Sequence, residues 1–140
     1  MPQLAVSFDT SRIQALVLGR KPEWNLERFS LALTEYLRFL TLCKAHPEAK
    51  VMAPADVDEL WHAHMLDSAH YTADCQRIFG GYLHHDPCIG ELDLYNTQGT
   101  LELYKAQFGE MPGDSWKEML TCAGPGKGCG SISSVTSATH

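Results

Sequence analysis

The chain has 140 residues, 44% hydrophobic and 20% charged, which is the composition of one ordinary globular domain and not of a disordered segment. Eleven Lys+Arg against 17 Asp+Glu give a formal net charge of -6, which speaks against a nucleic-acid module, since that needs a basic face. No apolar run approaches the ~18 residues of a membrane span, and Met1 to Asp9 lack the basic and apolar regions of a secretory signal, so the expected compartment is the cytoplasm. There the five cysteines are expected as reduced thiols, and their odd number fits a disulfide framework poorly.

Helical periodicity dominates the pattern. Asp9, Thr10 and Ser11 offer capping oxygens to a first helix in which Ile13, Leu16 and Val17 repeat, with Gly19 as the expected stop. Asn25 caps a second helix with Leu26, Phe29, Leu33, Tyr36, Leu37 and Leu40 on one stripe. Leu31, Phe39 and Leu42 fall off that stripe, which predicts a central helix covered on two sides. Pro47 ends it, leaving His46 in or next to the last turn in a structural role.

After a linker with a short extended piece at Val51 and Met52, a third helix opens between Pro54 and Asp56 and runs to about Leu66. Asp67 and Ser68 read as a break, and Asp67 is placed to cap a fourth helix that reaches Ile78–Phe79 and ends at Gly80-Gly81. Residues 82–96 are expected as a loop centred on His84-His85. A helix from Thr97 or Thr100 to Phe108 follows, with Leu101, Tyr104 and Phe108 on one face and Gly109 at its end. A last short helix, Ser115 to Leu120, docks Trp116 and Met119.

From Cys122 onward, glycines alternate with small or polar residues and give way to a Ser/Thr run. Such a segment buries too little to offset its ordering entropy, so disorder is expected. Cys122 and Cys129 read as free thiols, or else as a metal or redox clip. The pattern predicts an all-α fold: a compact bundle of five or six short helices over residues 1–121, with a His-His loop and a disordered Gly/Ser/Thr tail over residues 122–140.

Residues 56–88 hold most of the histidines and two of the cysteines, Cys75 and Cys88. On a helix each residue turns the side chain by ~100°, so Asp58 and His62 return to one face ~40° apart. His62 and His64 differ by ~200° and point to opposite sides, so one ion takes at most one of them as a ligand. Asp58 with His62 is the better pair, because i, i+4 is the spacing of the two histidines in the H-E-x-x-H metal helix. His64 packs, caps, or donates a hydrogen bond behind the ligands, as does Trp61.

If the chain doubles back at Gly80-Gly81, His84 or His85 meets Asp58 and His62. The result is a two-histidine, one-carboxylate set with open positions, suited to non-haem iron(II) or to zinc. Tyr71 and Cys75, four apart on the next helix, would line the pocket as catalytic groups. Exchange of the carboxylate for Cys75 or Cys88 favours zinc or copper. A Cys–His nucleophile built from Cys75 or Cys88 is an alternative that lacks a local signature.

The run Asp56-Val57-Asp58-Glu59-Leu60-Trp61-His62-Ala63-His64-Met65-Leu66-Asp67, then Tyr71, Asp74-Cys75 and Gly80, resembles the glycine-rich domain-containing-protein-like family of plants and bacteria. Its motif reads D-x-[DE]-x-x-W-H-x-H-x-L-[DN]-x-x-x-Y-x-x-D-C. The likeness covers about residues 50–86. It implies a helical domain of the small bacterial form and no particular reaction. The plant members are longer, with an extended glycine-rich region of which residues 124–130 are at most a remnant.

The resulting expectation is a small metal-binding protein that uses a divalent transition metal (iron, copper or zinc). Asp58, His62 and His84 or His85 are its ligands, and its reaction on a small molecule or peptide is an oxidation sooner than a hydrolysis. No nucleic-acid or membrane partner is expected. The alternative is a non-catalytic interaction domain whose Trp/His/Tyr cluster is structural. The sequence leaves the oligomeric state open.

Overall fold

The computed structural model describes residues 6–86, 94–121 and 130–137. Among them are six α-helices: α1 (Ser11–Arg20), α2 (Leu26–Ala45), α3 (Ala55–Leu66), α4 (Ser68–Phe79), α5 (Leu94–Phe108) and α6 (Asp114–Lys117), the last continued by a 3-10 turn at Glu118–Thr121. The helical class and the compact bundle expected from the periodicity are therefore present. Three short strands join them: β1 (Met52–Ala53), β2 (Gly81–Asp86) and β3 (Gly130–Ser137). No helix among the described residues is long and apolar enough to cross a membrane.

The local signals act where their chemistry requires. Asn25 is extended (φ -124°) and its side chain accepts the Arg28 N–H at 2.8 Å, which opens α2. Gly80 (φ +72°) closes α4 and Gly109 (φ +70°) follows α5, both in the left-handed region that glycine adopts without strain. Gly19 does not stop α1, which runs on to Arg20. Asp67 does not cap α4 with its side chain; its carboxylate instead holds Arg12 and His70.

Helix α2 is the central element. Phe29, Tyr36, Phe39, Leu40 and Leu42 are buried along it, and α1, α3 and α5 pack around it. The second side is covered only in part, since Leu31 is 67% exposed while Phe39 and Leu42 are sealed. The α5 side is fastened through one carboxylate. Glu35 accepts from Tyr104 Oη at 2.7 Å and from the Trp116 indole N–H at 2.8 Å. Arg38 lies against Tyr104 and reaches Glu110 at 2.6 Å. Burial, reinforced by Glu35, pushes the Tyr104 hydroxyl up to about 12, so it stays a donor.

Two expected segments differ in the structure. The loop expected at residues 82–96 begins instead as strand β2, Gly81–Asp86, and α5 starts earlier, at Leu94; residues 87–93, Cys88 among them, lie outside the described residues. Within the segment expected to be disordered, Gly130–Ser137 is the middle strand of an antiparallel sheet ordered β1-β3-β2. The physical reason is that two open strand edges supply backbone partners on both sides of β3, and its Ile, Val and Thr residues suit an extended chain. Leu83 pairs with Val135 and His85 with Ile132, so β3 carries one extra residue there, a bulge beside His85. Residues 122–129, including Cys122 and Cys129, lie outside the described residues. The far edge of β1 is used too, because Met52 N–H donates to Thr100 Oγ1 of α5 at 2.9 Å.

Glu35→Ala is expected to leave the Trp116 N–H buried without a partner and to lower folding stability by about 2–4 kcal/mol. Urea unfolding at neutral pH followed by far-UV circular dichroism measures it; a change under 1 kcal/mol (about half the lower figure) would mean that this clamp is not structural.

Candidate metal centre

Helix α3 carries two polar systems on different sides of a buried indole. Trp61 is fully buried, packed on Phe39 of α2 at 4.9 Å between ring centroids. Its N–H donates to Tyr71 Oη at 2.9 Å, and Tyr71 Oη donates in turn to the Leu83 carbonyl at 2.6 Å. This chain of two hydrogen bonds ties α3, α4 and β2 together. Alternation along β2 then places His85 on the same side as Leu83, and its ring lies against Trp61 at 4.2 Å.

There His85 meets Asp58. Its Nε2 is 2.6 Å from Asp58 Oδ1, and His62 Nε2 is 3.4 Å from the other carboxylate oxygen. The two imidazoles face each other at 4.7 Å between ring centroids. One donor atom from each of Asp58, His62 and His85 can be chosen so that all three lie within 4.8 Å of one another, a cluster that could hold a metal ion. The Asp58 side chain is buried (5% exposed), that of His85 is partly buried (9% exposed), and that of His62 is 47% exposed. A carboxylate this buried requires charged or hydrogen-bonding partners, and the two rings are those partners.

Four residues assigned to the site from the sequence thus come together: Asp58, His62 and His85 as donors, with Trp61 as the wall behind His85. His84 does not join the donors. It is next to His85 on a strand, so its ring leaves the other way and packs on Tyr82 at 4.8 Å. Tyr71 and Cys75 are buried at 1% and 2% and are not among the donors; Tyr71 is tied to Trp61 and to the Leu83 carbonyl of β2. Burial raises both groups, holding Tyr71 far above the ordinary phenol value and leaving the Cys75 thiol protonated at neutral pH, a poor nucleophile.

His64 forms the second system, on the opposite side of α3. It is 3% exposed and stacks on Phe8 at 4.7 Å. Its Nδ1 lies 2.7 Å from Tyr36 Oη and its Nε2 lies 2.8 Å from Asp74. A neutral ring with its proton on Nε2 satisfies both contacts, donating to Asp74 and accepting from Tyr36. Burial keeps Tyr36 well above the usual phenol range, so that hydroxyl is a donor. The aspartate of this system, Asp74, was not assigned a site role from the sequence except as Cys75's neighbour; its i, i+3 spacing to Arg77 was the available signal.

The fold and the cluster define a small helical protein with a partly buried two-histidine, one-carboxylate group. The chain belongs to the UCP032817-like family, whose pattern matches residues 6–100. It is also similar to glycine-rich domain-containing protein 1 of Arabidopsis thaliana, 26% identical over 65 residues, which is 46% of this chain and 8% of that protein. The chain thus matches only a small part of that relative's length. No solved structure matches.

Burial holds His64 below its ordinary value of 6.5, with Asp74 opposing. Just below that pH the unfolded chain therefore binds more protons than the folded one. Stability is expected to fall as the pH drops through this region, by no more than about 1.4 kcal/mol per pH unit, until the folded ring itself protonates. Urea midpoints of metal-free protein between about pH 7.5 and 5.5 check this, and the fall should be smaller in His64→Gln.

Proposed function

We propose that the chain is a metal-binding protein in which Asp58, His62 and His85 hold one divalent transition ion and present it to a small-molecule or peptide substrate. The observation that supports this most directly is the convergence of the three donors, one buried and one partly buried, from a helix and a strand. Two donors about 2.1 Å from a tetrahedral ion stand about 3.4 Å apart, and about 3.0 Å apart at adjacent octahedral positions. His62 Nε2 stands 3.4 Å from Asp58 Oδ2, within that range; His85 Nε2 is 2.6 Å from the other oxygen, Oδ1, and the set, which spans up to 4.8 Å, would have to adjust for all three donors to share one ion. His62, being half-exposed, is the ligand with room to close.

Two imidazoles and a carboxylate suit iron(II) or zinc(II). Copper(I) prefers sulfur, and among the described residues no thiol belongs to the cluster. Three protein ligands leave coordination positions for water and substrate on the exposed His62 side. This is the ligand set of non-haem iron(II) oxygenases, and two histidines with a carboxylate also hold zinc in hydrolases; of the two we propose the oxidoreductase, which the choice of ion tests. A competing reading has its own support. The Asp58–His85 hydrogen bond and the Trp61–Tyr71–Leu83 chain are each complete without an ion, as a purely structural cluster in an interaction domain would be.

Calorimetric titration of untagged protein with zinc(II), and anaerobically with iron(II), separates the two. About one equivalent should bind. His62→Ala and His85→Ala should each weaken binding by at least about 100-fold while circular dichroism stays helical. A wild-type protein that binds neither ion more tightly than His62→Ala and His85→Ala do overturns the metal reading and leaves the structural one.

A further inference from the structure

His62 is a wall of two features at once. One side of its ring faces Asp58 and His85; another lines a groove of about 310 Å³ between α1 and α3. The groove's remaining sides are Leu16, Arg20 and Lys21 from α1 and the turn after it, and Glu59, Ala63 and Leu66 from α3. Its volume is at the lower end of small-ligand sites, and it opens beside the most exposed of the proposed ligands.

The chemistry of its walls is uneven. Lys21 pairs with Glu59 at 3.1 Å, so this acid and this cation answer each other. Arg20 lines the same groove, is exposed, and makes no hydrogen bond or ion pair among the described residues. It therefore leaves one uncompensated positive charge in the groove of a chain whose formal net charge is -6. Leu66 is 62% exposed, and with half-buried Leu16 and buried Ala63 it gives an apolar surface toward the Arg12–Asp67 end of the two antiparallel helices, while Arg20 and His62 lie toward the Lys21–Glu59 end. A cation at one place, an apolar stretch, and a coordinating group at another is the pattern that an amphipathic acid completes.

We propose that this groove is the substrate site of the metal centre and that it takes a small carboxylic acid with an apolar side chain. The carboxylate pairs with Arg20, whose planar fork suits a bidentate contact. The apolar part lies on Leu16 and Leu66, and a second oxygen of the ligand reaches the ion past His62. This assignment rests on the metal reading for its last contact only; the carboxylate and apolar contacts belong to the groove itself.

Two probes keep the failures apart. 4-Methylpentanoate, which has no oxygen beyond its carboxylate, and 4-methyl-2-oxopentanoate are each titrated into ¹⁵N-labelled protein with and without zinc(II). Both should shift the amides of residues 16–21 and 59–66, and Arg20→Gln should weaken each by about fivefold without altering zinc binding. Zinc should tighten the oxo acid by about tenfold or more and leave 4-methylpentanoate unchanged. Absent shifts at these amides, or equal binding by Arg20→Gln, overturn the groove assignment even where zinc binds. Groove binding that zinc never alters overturns the link to the metal centre, whether or not zinc is held.

Discussion

The indole of Trp61 decides where strand β2 lies against helix α3, and the rest of the site depends on that placement. Its N–H is held by Tyr71, whose hydroxyl is in turn committed to the Leu83 carbonyl, so the strand cannot slide along the helix without breaking a buried hydrogen bond. A strand slip of one residue would also exchange the faces, bringing His84 toward Asp58 in place of His85. The selection of one histidine from an adjacent pair is thus a consequence of backbone register, fixed two residues earlier at Leu83.

The two histidine systems of α3 illustrate how identical side chains acquire different roles. His64 has both ring nitrogens engaged and is sealed under Phe8, and burial disfavours its charged form. A ring in that condition has no lone pair to offer an ion. His62 stands half in solvent with its Nε2 near a buried carboxylate, so its donor atom is accessible from the groove side. Their separation follows from the α-helical turn of ~100° per residue, which puts positions two apart on opposite sides.

That separation was legible in the sequence because it needs only local geometry, as were the caps at Asn25 and Gly80 and the break before α4. The pairing of Asp58 with His62 belongs to the same class of inference. What the sequence did not show was anything set by distant backbone partners. Residues 81–86 carry turn-like glycine and two histidines, and they become a strand because β3 supplies a ladder. Residues 130–137 look too polar to fold, and they pair because β1 and β2 both offer open edges. The Asp74–His64–Tyr36 group was invisible for a similar reason: Tyr36 comes from α2, 28 positions earlier in the chain. Leu31 shows the converse limit, an apolar side chain off the core stripe that no element covers.

The geometry of the chain also says what an ion at this place would do to the protein. Asp58 and His62 lie on one rigid helix, whereas His85 is 27 positions beyond Asp58 and arrives on a strand. An ion shared by all three closes that stretch, with the whole of α4 inside it, and opposes separation of the strand from the helix. Because the donors converge only in the folded chain, binding energy adds to folding stability. Tyr71 and Cys75 lie on the enclosed helix, and Tyr71 joins that helix to Trp61 and to the Leu83 carbonyl by hydrogen bonds. Helix α1 lies outside that stretch and borders the groove; it packs on α3, where Lys21 pairs with Glu59, so the element with the unpaired guanidinium is coupled to the helix that carries Asp58 and His62.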